Sequence, residues 1–117
     1  MVTNKQPQPP TRTEEPKMAD KTTLLVTAMP NPSEQESMQA YLKGVLPLLL
    51  GAGGQLVKRA KISGTITGKP PYGMVLVMDF PDREQLEKMF ASEAYAALVP
   101  SRDKGFASID ICFASDL

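Results

Sequence analysis

Two short segments of the chain are apolar at both sets of alternating positions, and this feature limits the possible folds most strongly. They are residues 24–29 and 74–78, in which Thr27 is the one polar side chain. Side chains of a strand alternate between the two faces of a sheet, so a strand with one solvated face has polar residues at every second position. We therefore expect both faces of this sheet to be covered.

Two further segments also read as strands. The four predicted strands cover residues 22–29, 55–62, 73–80 and 106–113. The segment 55–62 is the most polar, and we expect it at a sheet edge. It carries most of a basic cluster formed by Lys58, Arg59, Lys61 and Lys69. Lysines on an edge strand discourage edge-to-edge pairing, and anion binding is the alternative role for this cluster.

The strands are separated by segments in which apolar residues have helical spacing. The first predicted helix follows the N-cap Asn31 and ends at the glycine-rich residues 51–54. The second follows the N-cap Asp82 and restarts at the N-cap Ser92, and Pro100 and Gly105 end it. Both caps precede apolar residues that recur every three or four positions, as one buried helix face requires.

The order of the elements is β-α-β-β-α-β, which predicts an α+β, ferredoxin-like fold. In this fold a four-stranded antiparallel sheet has two helices on one face. Two helices cover one face only, so the other face of the apolar strands needs a second subunit's sheet. We expect a homodimer that packs through these sheet faces.

Residues 1–21 differ in composition from residues 22–117, which form the predicted domain. Four of the 11 prolines of the chain lie in this arm, and its apolar residues are few. We expect a disordered, solvated tail, with docking on a partner subunit as the alternative. No segment has the pattern of a signal peptide or of a membrane span.

Charge and composition exclude several functions. Lys and Arg number 13, as do Asp and Glu, so the formal net charge is zero. Neutrality argues against nucleic-acid and membrane surfaces as partners. Histidine is absent and one cysteine is present, which excludes His/Cys zinc sites, His-ligated haem, Ser-His-Asp triads and an intrachain disulfide. We expect no metal and no cofactor, and the single cysteine fits a reducing cytoplasm.

Three residues are candidates for binding a small ligand. Arg102 can anchor an anion, and Tyr95, seven residues earlier, can donate a hydrogen bond or a proton to it. Asp79 lies within an apolar strand, where a charge needs a pocket, a partner or water. We expect the three to line one cavity. The alternative is structural, with the Tyr95 ring in the core and Arg102 paired with Asp79, Asp103 or a carbonyl.

Other reactive residue types have simpler explanations. Ser92 is expected to be a helix cap, because no base at catalytic spacing activates it. Cys112 has apolar neighbours and is expected to be a buried, inert thiol. Asp110 is a second carboxylate within an apolar strand. The glycines of residues 51–54 follow a helix, whereas a phosphate-binding loop precedes one.

Residues 24–113 resemble the bacterial domain-of-unknown-function family thirteen-thirty, of the dimeric α/β-barrel superfamily. The matching features are Asn31-Pro32, Tyr41, Pro47, Gly53-Gly54, Asp79-Phe80-Pro81 and the spacing Ser92-x-x-Tyr95-x-x-Leu98-x-x-x-Arg102. The chain departs from the family pattern in two places. Members of the family tend to have an acidic residue followed by glycine where this chain has Thr67-Gly68, and the proline-rich arm is not part of the pattern. The resemblance implies a homodimer whose two sheets form a barrel, and no established reaction.

Two hypotheses of function remain. One is a dimer that binds a small apolar or acidic molecule. The other, by analogy with the superfamily, is a cofactor-independent monooxygenase, isomerase or lyase acting on a small aromatic or lactone substrate. We favour binding, because the chain lacks His and Trp, on which many such enzymes rely.

Overall fold

A computed structural model describes residues 21–117 of the chain. A single 3₁₀ turn at Pro32–Glu34 precedes the first helix. The other elements are β1 (Thr22–Pro30), α1 (Gln35–Gly51), β2 (Gln55–Lys61), β3 (Met74–Phe80), α2 (Arg83–Phe90), α3 (Glu93–Ala96), α4 (Val99–Gly105) and β4 (Phe106–Ala114). Except for Lys21, the arm predicted for residues 1–21 lies outside the described residues, so its role and the boundary at residue 22 remain predictions.

The four strands form one antiparallel sheet in the order β2-β3-β1-β4. This is the strand order of a ferredoxin-like fold, so the predicted fold class is confirmed. The predicted second helix is instead three short helices, α2 to α4. Gly105 ends the last of these helices, as expected, but the expectation that Pro100 ends a helix is wrong, because Pro100 lies in the first turn of α4. Proline is tolerated there, since the N–H it lacks has no partner within the helix.

The two faces of the sheet have different surroundings. On one face Leu24 and Met78, paired between β1 and β3, are fully buried. They pack in a core with side chains from α1 to α3, namely Tyr41, Val45, Leu49, Leu86 and Tyr95. On the other face Leu25 is paired with Val77, and both are only half-buried. We call this second surface the open face, because the helical core residues pack on the opposite side.

Strand β2 is an exposed edge of the sheet, as expected, and every residue in it is exposed. Its register with β3 shifts between Leu56 and Lys58. Uninterrupted alternation would place Leu56 and Ala60 on one face, but the irregularity places Leu56 beside buried Met78 and Ala60 beside open-face Val75. The extra residue of a bulge reverses the alternation that the sequence pattern assumes.

Helix α4 is held tightly against the beginning of α1. The Asn31 amide donates to the Gly105 carbonyl at 3.0 Å. A methyl group at Gly105 would lie 2.5 Å from the Met38 amide nitrogen, so glycine is required at this approach. This contact fixes α4, which carries Arg102, relative to α1, which carries Tyr41.

Among the helices of residues 21–117, none is long and apolar enough to cross a membrane.

Candidate functional site

A cavity of about 460 Å³ lies between β4 and the short helices. Its size falls in the range of small-molecule pockets, roughly 300–1,000 Å³. Its lining is Leu24, Phe90, Ala91, Ile111 and Phe113 together with Glu87, Tyr95, Arg102 and Cys112. Most of this wall is apolar or aromatic, and Tyr95 and Arg102 are two of its few polar groups.

Tyr95 and Arg102 are joined by a hydrogen bond, although they lie on different helices. The Arg102 Nη1 donates to the Tyr95 hydroxyl at 3.2 Å, and its Nε donates to Asp103 Oδ1 at 3.0 Å. The Tyr95 hydroxyl is also 2.9 Å from the hydroxyl of buried Tyr41. The result is a continuous hydrogen-bonded series, Tyr41–Tyr95–Arg102–Asp103, which we call the tyrosine–arginine series. It begins in the core and ends at the surface.

The backbone around Ser92 positions the Tyr95 ring. The Ser92 Oγ accepts from the Tyr95 amide at 3.2 Å and donates to the Met89 carbonyl at 2.6 Å. This confirms the predicted N-cap, which links the end of α2 to the start of α3. The Tyr95 ring meets Phe90 edge to face, with the ring centroids 4.9 Å apart. Tyr95 is therefore fixed at both its backbone and its ring.

The surroundings of the series set the charge states of Tyr41 and Arg102. Burial, together with the hydrogen bond to Tyr95, raises the pKa of Tyr41 far above the usual value for a phenol. Tyr41 is thus a neutral hydroxyl at any ordinary pH. The hydrogen bond to Tyr95 raises the pKa of Arg102, which stays a cation. The series therefore places the Arg102 cation, paired on one side with the Asp103 carboxylate, at the edge of an apolar cavity.

Asp79 does not join Tyr95 and Arg102, so the expectation of a shared cavity is wrong for this residue. Its neighbours in β3, Met78 and Phe80, are buried in the core, and alternation turns the Asp79 side chain to the open face. There its carboxylate accepts from the Thr23 Oγ1 at 2.8 Å. The contact of Arg102 with Asp103 agrees with part of the structural alternative, in which Tyr95 packs in the core and Arg102 has an acidic partner.

The expectation of a buried thiol is also wrong, since Cys112 is exposed. It pairs with Leu25 at the open face, although it borders the cavity. Asp110 is exposed on the same face of β4, opposite Thr27.

Within residues 21–117 no group of three His, Cys, Asp or Glu side chains is arranged to hold a metal ion.

Sequence reasoning did not identify Tyr41, Phe90 or Phe113 as parts of the site. Tyr41 was noted in the resemblance, but its role follows from a contact across 54 residues. One signal was present: a tyrosine at a core-facing helical position needs a partner for its hydroxyl. The aromatic wall requires Phe113 of β4 and Phe90 of α2 to line one cavity, and this depends on packing between distant segments that a local pattern does not encode.

Comparisons with known proteins agree with the fold. A crystal structure of RPA0582, a protein of unknown function from Rhodopseudomonas palustris, is similar with a TM-score of 0.72 and 15% identity, over 93% of this chain and 95% of that one. A protein from Bacteroides thetaiotaomicron described as a candidate antibiotic biosynthesis monooxygenase matches with a TM-score of 0.59 and 14% identity, over 86% and 92%. Hydroxynitrile lyase from Passiflora edulis matches with a TM-score of 0.61 and 10% identity, over 81% and 92%.

No curated protein matches the chain significantly. The structural similarities are below 20% identity, so they establish the fold and leave the activity open. The family comparison is more specific, because its match extends over residues 22–115 and thus over nearly the whole described structure. By this match the chain belongs to the family named Domain of unknown function (DUF1330).

Proposed function

We propose that this protein is a homodimer in which each subunit binds a small apolar or acidic molecule in the cavity between β4 and the short helices. One observation carries the proposal: the apolar cavity has the Arg102 cation and the Tyr95 hydroxyl on its wall, 3.2 Å apart. Ligand pockets commonly combine an apolar wall with a few fixed polar groups of this kind.

The geometry of the wall favours a flat ligand. Phe90, Tyr95 and Phe113 contribute aromatic surface. The Arg83 guanidinium lies 4.1 Å from the centre of the Phe113 ring and packs against it. Aromatic rings pack well edge to face or offset against other rings. A planar ligand with one charged end would therefore contact both the rings and Arg102.

Blocking the cavity tests this proposal. Ala91 lines the cavity and is exposed, so Ala91→Trp places an indole at its mouth. Ala97 is a matched control, since it is also an exposed alanine at the end of a short helix and does not line the cavity. In a calorimetric titration with 2-naphthoate, the wild type and Ala97→Trp should bind, and Ala91→Trp should lose at least tenfold in affinity. Equal affinity in all three proteins would refute the cavity as the site.

The proposed dimer interface is the open face of the sheet. Leu25, Val75 and Val77 lie at its centre and are half-buried in the single chain, and Met29 is 37% exposed. Exposed apolar surface of this kind commonly marks a protein interface. Pairing of two open faces about a two-fold axis would bury these side chains in both subunits at once, and the two sheets would then form the barrel that the family resemblance implies.

A cofactor-independent enzyme is the second candidate. The observation that favours it is that hydroxyl groups and a cation meet beside an apolar cavity, as a site for proton transfer or oxyanion stabilisation requires. Two structural neighbours carry enzyme names, a candidate monooxygenase and a lyase. Incubation with small aromatic and lactone substrates tests it: turnover by the wild type that is lost in Tyr95→Phe would favour the enzyme over the binding protein.

A further inference from the structure

The tyrosine–arginine series contains one more O–H group than it can use. Tyr41 and Tyr95 each have one hydroxyl hydrogen, and their contact at 2.9 Å uses one of the two. Arg102 is a donor only, and its Nη1 bond occupies the Tyr95 oxygen as an acceptor. Among residues 21–117 neither hydroxyl has another hydrogen-bond partner. One hydroxyl hydrogen of this buried pair is therefore left without an acceptor.

The position of the spare hydrogen depends on which tyrosine donates. If Tyr95 donates to Tyr41, the spare hydrogen belongs to Tyr41. Both tyrosines are 4% exposed, but of the two only Tyr95 lines the cavity, so a spare hydrogen on Tyr41 would be buried without an acceptor, which is unfavourable. If Tyr41 donates to Tyr95, the spare hydrogen belongs to Tyr95, at the end of the cavity where Arg102 lies. The second arrangement allows a ligand to satisfy the hydrogen.

Arg102 also has donors to spare at this position. Its Nε and Nη1 take part in bonds to Asp103 and Tyr95, and no bond involves Nη2 within the described part of the chain. Its side chain is 25% exposed, so the guanidinium is open on one side. The cavity thus offers two kinds of unused donor, a hydroxyl and a guanidinium nitrogen. Glu87 is the acidic side chain on the wall, and its carboxylate is bonded to Arg83 at 3.0 Å.

We infer that the ligand of this cavity is recognised as a hydrogen-bond acceptor with negative charge, an aromatic or alicyclic carboxylate, held by the Tyr95 O–H and the Arg102 guanidinium together. Tyr41 acts as a positioning residue, which donates to Tyr95 and so turns the Tyr95 hydrogen toward the ligand. This inference rests on the proposed binding function and specifies the chemical class of its ligand. It excludes amines as ligands and ranks neutral alcohols well below carboxylates.

Two probes with the same ring system test the inference without any mutation. The affinities of 2-naphthoate and 2-naphthylmethanol for the wild type are measured by calorimetry at neutral pH. We expect the carboxylate to bind at least tenfold more tightly, which corresponds to about 1.4 kcal/mol. Equal affinity for both would overturn the inference and leave the proposed function intact. Failure of both probes to bind would overturn the inference and the proposed function together.

Two variants then separate the roles of the tyrosines. Tyr95→Phe removes the hydroxyl that contacts the ligand and keeps the ring, so the preference for the carboxylate should fall at least tenfold. Tyr41→Phe keeps the Tyr95 hydroxyl but removes the donor that orients it, so the preference for the carboxylate should fall, and by less than in Tyr95→Phe. A preference that either variant leaves unchanged, or that Tyr41→Phe lowers as far as Tyr95→Phe does, would overturn the inference. Melting curves of both variants establish that they are folded.

Discussion

The hydroxyl oxygens of Tyr41 and Tyr95 lie 2.9 Å apart in the core, although 54 residues separate them in the chain. Tyr41 comes from α1, and Tyr95 comes from α3. Arg102 extends the contact from α4. One hydrogen-bonded series therefore connects three helices at the edge of the cavity, and the stability of the fold and the chemistry of the candidate site depend on the same atoms.

The buried hydroxyl of Tyr41 makes stability depend on alkaline pH. Its pKa is raised in the folded protein, so the unfolded chain loses this proton first as the pH rises. The stabilisation is complete below pH 10.0, the ordinary tyrosine value, and declines above it. We expect the free energy of unfolding, from urea titrations at pH 8 to 11, to fall less steeply above pH 10 in Tyr41→Phe than in the wild type.

Tyr72→Phe is the control for this series, because Tyr72 lies outside the tyrosine–arginine series. It should keep the wild-type dependence on pH. Identical alkaline slopes for the wild type and Tyr41→Phe would show that the buried hydroxyl does not control this dependence.

Replacing Arg102 by Lys keeps the charge and removes the planar fork. A fork that holds a carboxylate contributes about 1.5–3 kcal/mol through charged hydrogen bonds. We therefore expect Arg102→Lys to weaken 2-naphthoate binding by about this amount in calorimetry, with the dimer mass unchanged. Arg59→Lys on the exposed edge strand β2 should have no effect on binding. If Arg102→Lys lowers the melting temperature and leaves affinity unchanged, Arg102 is a structural residue.

Dimer formation is tested by placing a charge on the open face. Val77 is half-buried there beside Leu25. Burial of an unpaired lysine between two sheets is costly, so Val77→Lys should give monomers or aggregates in analytical ultracentrifugation. Leu46→Lys, at a position that is 48% exposed and lies on α1 at the other side of the sheet, should remain dimeric. A folded wild-type monomer at micromolar concentration would contradict the proposed interface.

The close contact between α4 and α1 can be tested at Gly105. A methyl group there meets the Met38 backbone at 2.5 Å, and overpacking of this kind costs about 1–3 kcal/mol. We expect Gly105→Ala to lower the free energy of unfolding by this amount in urea titrations. Gly64→Ala is the control, since a methyl group at Gly64 meets no atom within 4 Å. Equal stability of the two variants would show that helix α4 moves away without cost.

The element order, the strand edge and the N-caps could be predicted from the sequence, because they depend on neighbouring residues. Ser92 was recognisable as a cap from its position between two apolar groups, and its hydroxyl does accept from the Tyr95 amide. The placement of Asp79 could not be predicted in this way, because β3 has apolar residues on each face and hydrophobicity does not distinguish the core from the open face. The exposure of Cys112 was predictable, since Ser108, Asp110 and Cys112 share one face of β4, opposite Ile109, Ile111 and Phe113.

The candidate site was predictable in part for a related reason. Tyr95 and Arg102 lie seven residues apart, and they do meet, although a break between α3 and α4 separates them. The partner Tyr41 and the aromatic walls come from distant segments. Their convergence depends on packing between α1, α2 and β4, which a local pattern does not encode.

A crystal structure of the protein with 2-naphthoate bound is the most direct test of the central claim. The account predicts the naphthyl ring against Phe90 and Phe113. It also predicts that the carboxylate oxygens lie within about 3 Å of the Tyr95 hydroxyl and the Arg102 Nη2. A ligand whose carboxylate faces solvent, or whose ring lies on the open face of the sheet, would contradict it.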